Sequence, residues 1–181
     1  MNIVEKIKII TDSSADLPKE VFEKLDITVL PLLINFGEES YLDGLEINID
    51  QLFHKIDNGD VFPNTSQVTP PRFEEAYRKY LDEGYKIISL HLSSSMSGTY
   101  QSACLAKEMI ESDDIYVVDS RSVTGGLGLL AYRAAILRDA GKSFNEIIED
   151  LEEKKNYICS SLSFESLENL VKGGRISKGI S

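Results

Sequence analysis

Short apolar, β-branched runs of strand length recur along this chain, and the segments between them return their apolar residues at helical spacing. The runs fall at 7–10, 27–36, 86–92, 115–118 and 157–162. Strands separated by helices are joined by crossovers rather than hairpins, so neighbours lie parallel. The pattern therefore predicts an α/β fold with an open, mostly parallel sheet flanked by helices. The helix ends are legible. Pro18 opens PKEVFEKL, and Thr69 precedes PPRFEEAYRKYL. Pro70 and Pro71 sit in that first turn, where N–H groups have no intrahelical partner to lose. Further helices are expected at 50–57, 99–110, 122–139 and 144–156, and Gly84 and Gly141 stand where helices should stop.

A chain of 181 residues buries roughly 70% of its unfolded surface, enough for a core without disulfides or metals. Residues 1–156 read as one α/β domain. Residues 157–181, YICSSLSFESLENLVKGGRISKGIS, read as a strand, a helix and a glycine-basic stretch, the opening of a second, incomplete domain. The two cysteines, Cys104 and Cys159, fit buried free thiols in a reducing compartment, which places the protein in the cytoplasm. The start, MNIVEKIKII, has neither the apolar region of a signal peptide nor the length of a membrane span. Thirty acidic against nineteen basic residues leave a formal charge of −11, which disfavours nucleic acid as a partner.

Three loops after expected strands are rich in small hydroxyl residues: 11–16 (TDSSAD), 93–99 (SSSMSGT) and 119–126 (DSRSVTGG). In open α/β sheets ligands bind outside the carboxyl ends of the strands, so these loops are candidates to converge on one cleft. The second runs directly into the helix at 99–110. The first turn of a helix carries unpaired N–H groups and the positive end of the macrodipole, and serines add donors. Gly98 removes a Cβ where the backbone must come close to something, so a phosphate or carboxylate could be held there without lysine or arginine. A fourth polar loop, 64–70 (NTSQVTP), lies between two expected helices. Aspartate, serine and threonine are also the usual helix caps, and each loop alone has that reading too.

Five strings in chain order, ITDSSADLP, TSQVTP, LSSSMSGTYQSA, VVDSRSVTGGLGLL and LENLVKGGRIS, together resemble the DegV family of bacterial fatty-acid-binding proteins. The resemblance implies a two-domain α/β protein that buries a long-chain fatty acid between its domains. It implies that the carboxylate is held by Thr65 and by Ser97, with Ser94 and the backbone at Gly98 nearby; Ser66, Thr99 and Ser13 are secondary candidates. It implies a carrier, without a cofactor, that presents the acid to a separate fatty acid kinase for phospholipid synthesis. The chain departs from the family pattern at Val68, where proline is usual, a change expected to alter loop stiffness more than donors. It also departs in length, since family members continue for about another hundred residues, the size of a domain.

The competing readings are a serine hydrolase or a phosphate- or nucleotide-binding enzyme built on the same loops. A serine nucleophile needs a base, and the histidines are His54 and His91. SSSMSG does not match the G-x-S-x-G elbow, and His91 in a strand fits a satisfied core residue. Asp12, Asp16 and Asp119 lack a His or Cys cluster at metal-ligand spacing. Neither Gly125-Gly126 nor Gly173-Gly174-Arg175 matches a nucleotide-binding glycine pattern. No catalytic residue and no metal ligand is therefore assigned.

Overall fold

The computed structural model describes residues 5–59, 61–161, 163 and 171. The elements in chain order are β1 (Ile7–Asp12), α1 (Lys19–Lys24), β2 (Ile27–Leu30), β3 (Leu33–Phe36), β4 (Glu39–Leu42), α2 (Ile49–Asn58), β5 (Asn64–Ser66), α3 (Pro70–Asp82), β6 (Lys86–His91), α4 (Thr99–Ile110), β7 (Ile115–Asp119), α5 (Gly125–Asp139) and α6 (Phe144–Lys154). Four strands form a parallel sheet in the order β2-β1-β6-β7. Side chains alternate across a strand, and the alternation builds two cores. Ile9, Ile88 and Leu90 pack on one face with Leu127, Leu130, Ile147 and Leu151 of α5 and α6. Ile10 and Ile87 pack on the other with Phe73, Tyr77, Ala103 and Ala106 of α3 and α4. The sheet is thus covered on both sides, as the α/β reading of the sequence requires.

The run 27–36 is not one strand. Pro31 has no N–H for a ladder, so β2 ends at Leu30, and the chain leaves the parallel sheet there. The Pro31 carbonyl accepts a hydrogen bond from Arg72 Nη1 at 2.7 Å. Beyond it, β3 pairs antiparallel with β4 and β5 in a second, three-stranded sheet. A two-residue turn with Gly37 at φ 62° joins β3 to β4, a hairpin connection that favours glycine. This small sheet extends from the carboxyl end of β2, and so stands beside the strand ends where a ligand is expected.

Three other expectations need correction. Residues 64–66 are the strand β5, not a loop. The helix after β7 starts at Gly125 rather than 122, because Ser120 and Ser122 are tied to each other in the preceding turn, with the Ser122 N–H donating to Ser120 Oγ at 3.1 Å. Among the described residues, 157–161 form no strand; a 3₁₀ turn covers Lys155–Tyr157, and Ser160 Oγ lies 3.0 Å from Ser122 Oγ. Cys159 is consequently exposed and Cys104 half-buried, rather than both buried; both are free thiols. The expected helix and glycine-basic stretch after 163 lie outside the described residues. Among the described residues, no helix is long and apolar enough to cross a membrane.

Candidate functional site

The strand order reverses between β1 and β6, since β2 lies on one side of β1 while β6 and β7 lie on the other. Two adjacent strands whose connections leave in opposite directions open a crevice at their carboxyl ends. A pocket of about 430 Å³ lies there, lined by Ser14, Leu32, Ile34, Asp43, Thr65, Gln67, Leu92, Met96, Ser97 and Gly98. It abuts an apolar groove of about 580 Å³, and Ile34 and Asp43 line both. The groove is lined by Leu17, Phe22, Val29, Leu45, Ile47 and Leu52, with Asp16, Lys19, Glu23 and Asp26 also on its wall. Leu45 is 73% and Ile49 60% exposed, so the outer wall of the groove presents apolar side chains to solvent.

Each hydroxyl singled out from the sequence has a definite place. Thr65 and Gln67 both face the pocket, two residues apart on the edge of β3, whereas Ser66 points to the opposite face and accepts from Asn35 Nδ2 at 2.8 Å. Ser97 also faces the pocket. Its Oγ accepts from the Thr99 N–H at 3.2 Å and lies 3.0 Å from Thr99 Oγ1, so buried Thr99 backs it from behind. Ser94 turns elsewhere. Its Oγ donates to Asp119 Oδ2 at 2.5 Å, and its N–H to Asp119 Oδ1 at 3.2 Å. The third hydroxyl loop therefore braces the second one instead of lining the pocket. Ser13 sits on the groove, where its Oγ accepts from the Leu32 N–H at 3.1 Å.

Gly98 lines the pocket and has a packing use as well. It caps α4 at φ −76°, a value any residue adopts. A Cβ built on it would lie 1.9 Å from Gln67 Oε1, so the missing side chain makes room for Gln67. Gln67 in turn donates from Nε2 to Ser102 Oγ at 2.9 Å, latching β5 to α4 and hence Thr65 to Ser97. Next to it Val68 is fully buried in the core with Phe73 and Tyr77 of α3. Gly98→Ala displaces the end of a flexible side chain, so stability falls by only about 1 kcal/mol, the net worth of the lost Gln67–Ser102 bond. Urea unfolding measures it; a loss several times larger would mean that Gln67 has nowhere to go.

Beneath the pocket lies a fully buried polar row that sequence spacing did not reveal. Asp12 Oδ2 is 3.0 Å from His91 Nδ1, His91 Nε2 is 2.7 Å from Ser89 Oγ, and Ser89 Oγ is 2.8 Å from the Tyr77 hydroxyl. Burial pushes the Asp12 carboxyl up, but the His91 ring, the Ser14 hydroxyl and the Leu92 N–H together outweigh it and hold it below its ordinary 3.8. Burial pushes the Tyr77 hydroxyl well above the usual tyrosine range. A carboxyl depressed in the folded state stabilises fully above its unfolded value and loses that contribution as pH falls through the folded one. The stability gap between the protein and Asp12→Asn is therefore constant near neutrality and closes as pH drops below 3.8. Chemical denaturation at pH 7, 5 and 3 checks this, and a gap that widens toward acid would contradict it.

With this geometry in place, the likenesses to known proteins can be read. Residues 6–181 match the family model described as "Uncharacterised protein, DegV family", and the chain belongs to that family. It is 58% identical over 176 residues to a DegV domain-containing protein of Clostridium perfringens, covering 97% of this chain and 63% of that one. Its structure is similar to one solved as fatty acid binding of a DegV family protein from Thermus thermophilus, with TM-score 0.86, 35% identity, and 97% of this chain and 62% of that chain covered. It is also similar to a fatty acid (stearic acid)-binding protein of Eubacterium ventriosum, with TM-score 0.82, 30% identity and the same coverage. The chain thus spans somewhat over three fifths of the length of these relatives.

Proposed function

We propose that this protein is a carrier of long-chain fatty acids that grips the carboxylate with Thr65 and Ser97 and lays the acyl chain along the adjoining groove. The observation that carries the reading is the adjacency of the two spaces: a pocket with the hydroxyls of Ser14, Thr65 and Ser97 on its wall shares Ile34 and Asp43 with a mainly apolar groove. Asp43 stands at that junction and lines the head-group pocket as well, so the hydroxyl and N–H donors there must outweigh its repulsion of a carboxylate. Magnitudes divide the labour. About fifteen methylenes at roughly 0.8 kcal/mol each contribute on the order of 12 kcal/mol gross, while each charge-assisted head-group bond nets roughly 1.5–3 kcal/mol. The tail supplies affinity and the hydroxyls supply orientation. The fatty-acid binding of the Thermus and Eubacterium relatives supports the same assignment.

The protein presents the bound acid to a separate cytoplasmic kinase and does no chemistry itself. Neutral donors hold a carboxylate without the strong ion pair that would hinder its phosphorylation. Residues 1–156 form the domain with this grip, and 157–181 open a second domain. A hydrolase reading finds little support: both nitrogens of His91 are engaged inside the core, and Ser89, its serine partner, is fully buried against Tyr77. Replacing Thr65 or Ser97 with alanine, in the protein at the full length its gene encodes, weakens fatty-acid binding by about 1–3 kcal/mol per lost bond and leaves the fold intact. Titration with a fluorescent fatty acid measures it. Unchanged affinity in both variants would move the head group elsewhere.

A further inference from the structure

Asp12 has four hydrogen-bond partners, and they come from two strand ends on either side of the crevice. Oδ1 accepts from the Ser14 N–H at 3.1 Å and the Ser14 hydroxyl at 2.5 Å. Oδ2 accepts from the Leu92 N–H at 3.0 Å and contacts His91 Nδ1 at 3.0 Å. Ser14 follows β1, Leu92 follows β6, and both line the head-group pocket. One buried carboxylate therefore ties together two segments of the pocket wall that no strand pairing joins beyond Ile10 and Ser89. The row behind it fixes the carboxylate in turn, since His91 is held by Ser89 and packed edge-on by Phe73 with ring centroids 4.8 Å apart.

We propose that Asp12 is the positioning residue of the head-group pocket, acting through Ser14. The inference rests on the fatty-acid reading above. With its proton committed to Asp12, the Ser14 oxygen turns only lone pairs toward the pocket, and it offers a carboxylate no donor. The donors for the head group are then those of Thr65 and Ser97 across the crevice, and the carboxyl group settles on that side in one orientation. Without Asp12 the Ser14 hydroxyl is free to turn its proton inward. It then competes with Thr65 and Ser97, and the single orientation is lost.

The test is a double-mutant cycle read by the carboxyl carbon of bound palmitic acid labelled with ¹³C at C1, using the protein at the full length its gene encodes. The unsubstituted protein gives one bound carboxyl resonance. Asp12→Ala removes the oxygen that takes the Ser14 proton, moves or splits that resonance and weakens binding about tenfold, the scale of one misplaced charge-assisted bond. Ser14→Ala leaves the Asp12–His91–Leu92 bonds in place and moves the resonance slightly. In the Ser14→Ala background Asp12→Ala has little further effect, because residues acting through one contact are not additive. Independent structural damage would instead make the two losses add, and that overturns the proposal. If Asp12→Ala does not fold, Ser14→Ala decides alone: a tenfold loss of affinity would mean that Ser14 itself donates to the head group, and overturns it. Leu52→Ala, in the groove, weakens binding without moving the resonance. A missing bound resonance in the unsubstituted protein would defeat the fatty-acid reading and this proposal with it, whereas a bound resonance indifferent to both substitutions defeats this proposal alone.

Discussion

Shortening the ligand from sixteen carbons to eight weakens binding by about 6 kcal/mol, on the order of 10⁴-fold, if the groove buries the eight methylenes removed. The expectation follows from the groove's composition. Leu17, Phe22, Val29, Ile47 and Leu52 offer an apolar bed, and the hydroxyls of Thr65 and Ser97 line the neighbouring pocket rather than the groove. Head-group contacts are common to both acids, so the whole difference lies in the tail. Competition between the two acids against one fluorescent fatty acid measures the ratio. A ratio near ten or below would mean that the chain beyond the carboxyl end stays in water, and that the groove is not its place.

Phe73→Ala lowers stability by about 3–5 kcal/mol, the usual cost of removing a fully buried aromatic ring. For a chain of this size that is a fall in Tm of about 6–20 °C. Phe73 is 0% exposed and fills the space between α3 and the sheet, with its ring 5.7 Å from Tyr77 and 4.8 Å from His91. The cavity would open beside the buried Asp12–His91–Ser89–Tyr77 row, whose members have no water to fall back on. Thermal unfolding followed by circular dichroism gives the number. A shift below about 3 °C, under 2 kcal/mol on the same scale, would mean that α3 collapses into the gap and that the ring does not hold the row in place.

The parallel sheet was legible because its signals are local. Each of β1, β6 and β7 is a short apolar run, and the helices that follow carry their apolar residues at a period the eye can count. The capping boxes Asn48 to Gln51 and Ser143 to Glu146 mark the starts of α2 and α6 within four residues. The second sheet was not legible, for two physical reasons. Pro31 splits a run whose composition is continuous, and β4, ESYL, is a half-exposed strand without an apolar face of its own. The glycine turn at Gly37 was the available clue. The pairing of Thr65 with Ile34 then depends on register between segments some thirty residues apart, which no window of sequence contains.

The site divides the same way. Thr65, Ser97 and Gly98 are expected from composition and resemblance, and the fold brings them to one pocket. Ser94 and the loop from Asp119 were expected there on the same grounds, but carboxylates recruit serines wherever they meet, and Asp119 takes Ser94 for itself. Ser14 and Gln67 lay inside the quoted strings without being singled out. Reading 64–66 as a strand would have placed Thr65 and Gln67 on one side by the two-residue period. Asp12 and His91 are 79 positions apart, and only the adjacency of β1 and β6 in the sheet makes them partners.

The most direct measurement is mass spectrometry of the organic extract from the protein purified at full length without added lipid. If the groove and the Thr65–Ser97 pocket hold a fatty acid as proposed, they retain what they bound in the cell, so the extract should contain long-chain fatty acid at close to one molecule per chain. An extract free of fatty acid, or a protein that instead carries a nucleotide or another phosphate ester, would contradict the carrier reading.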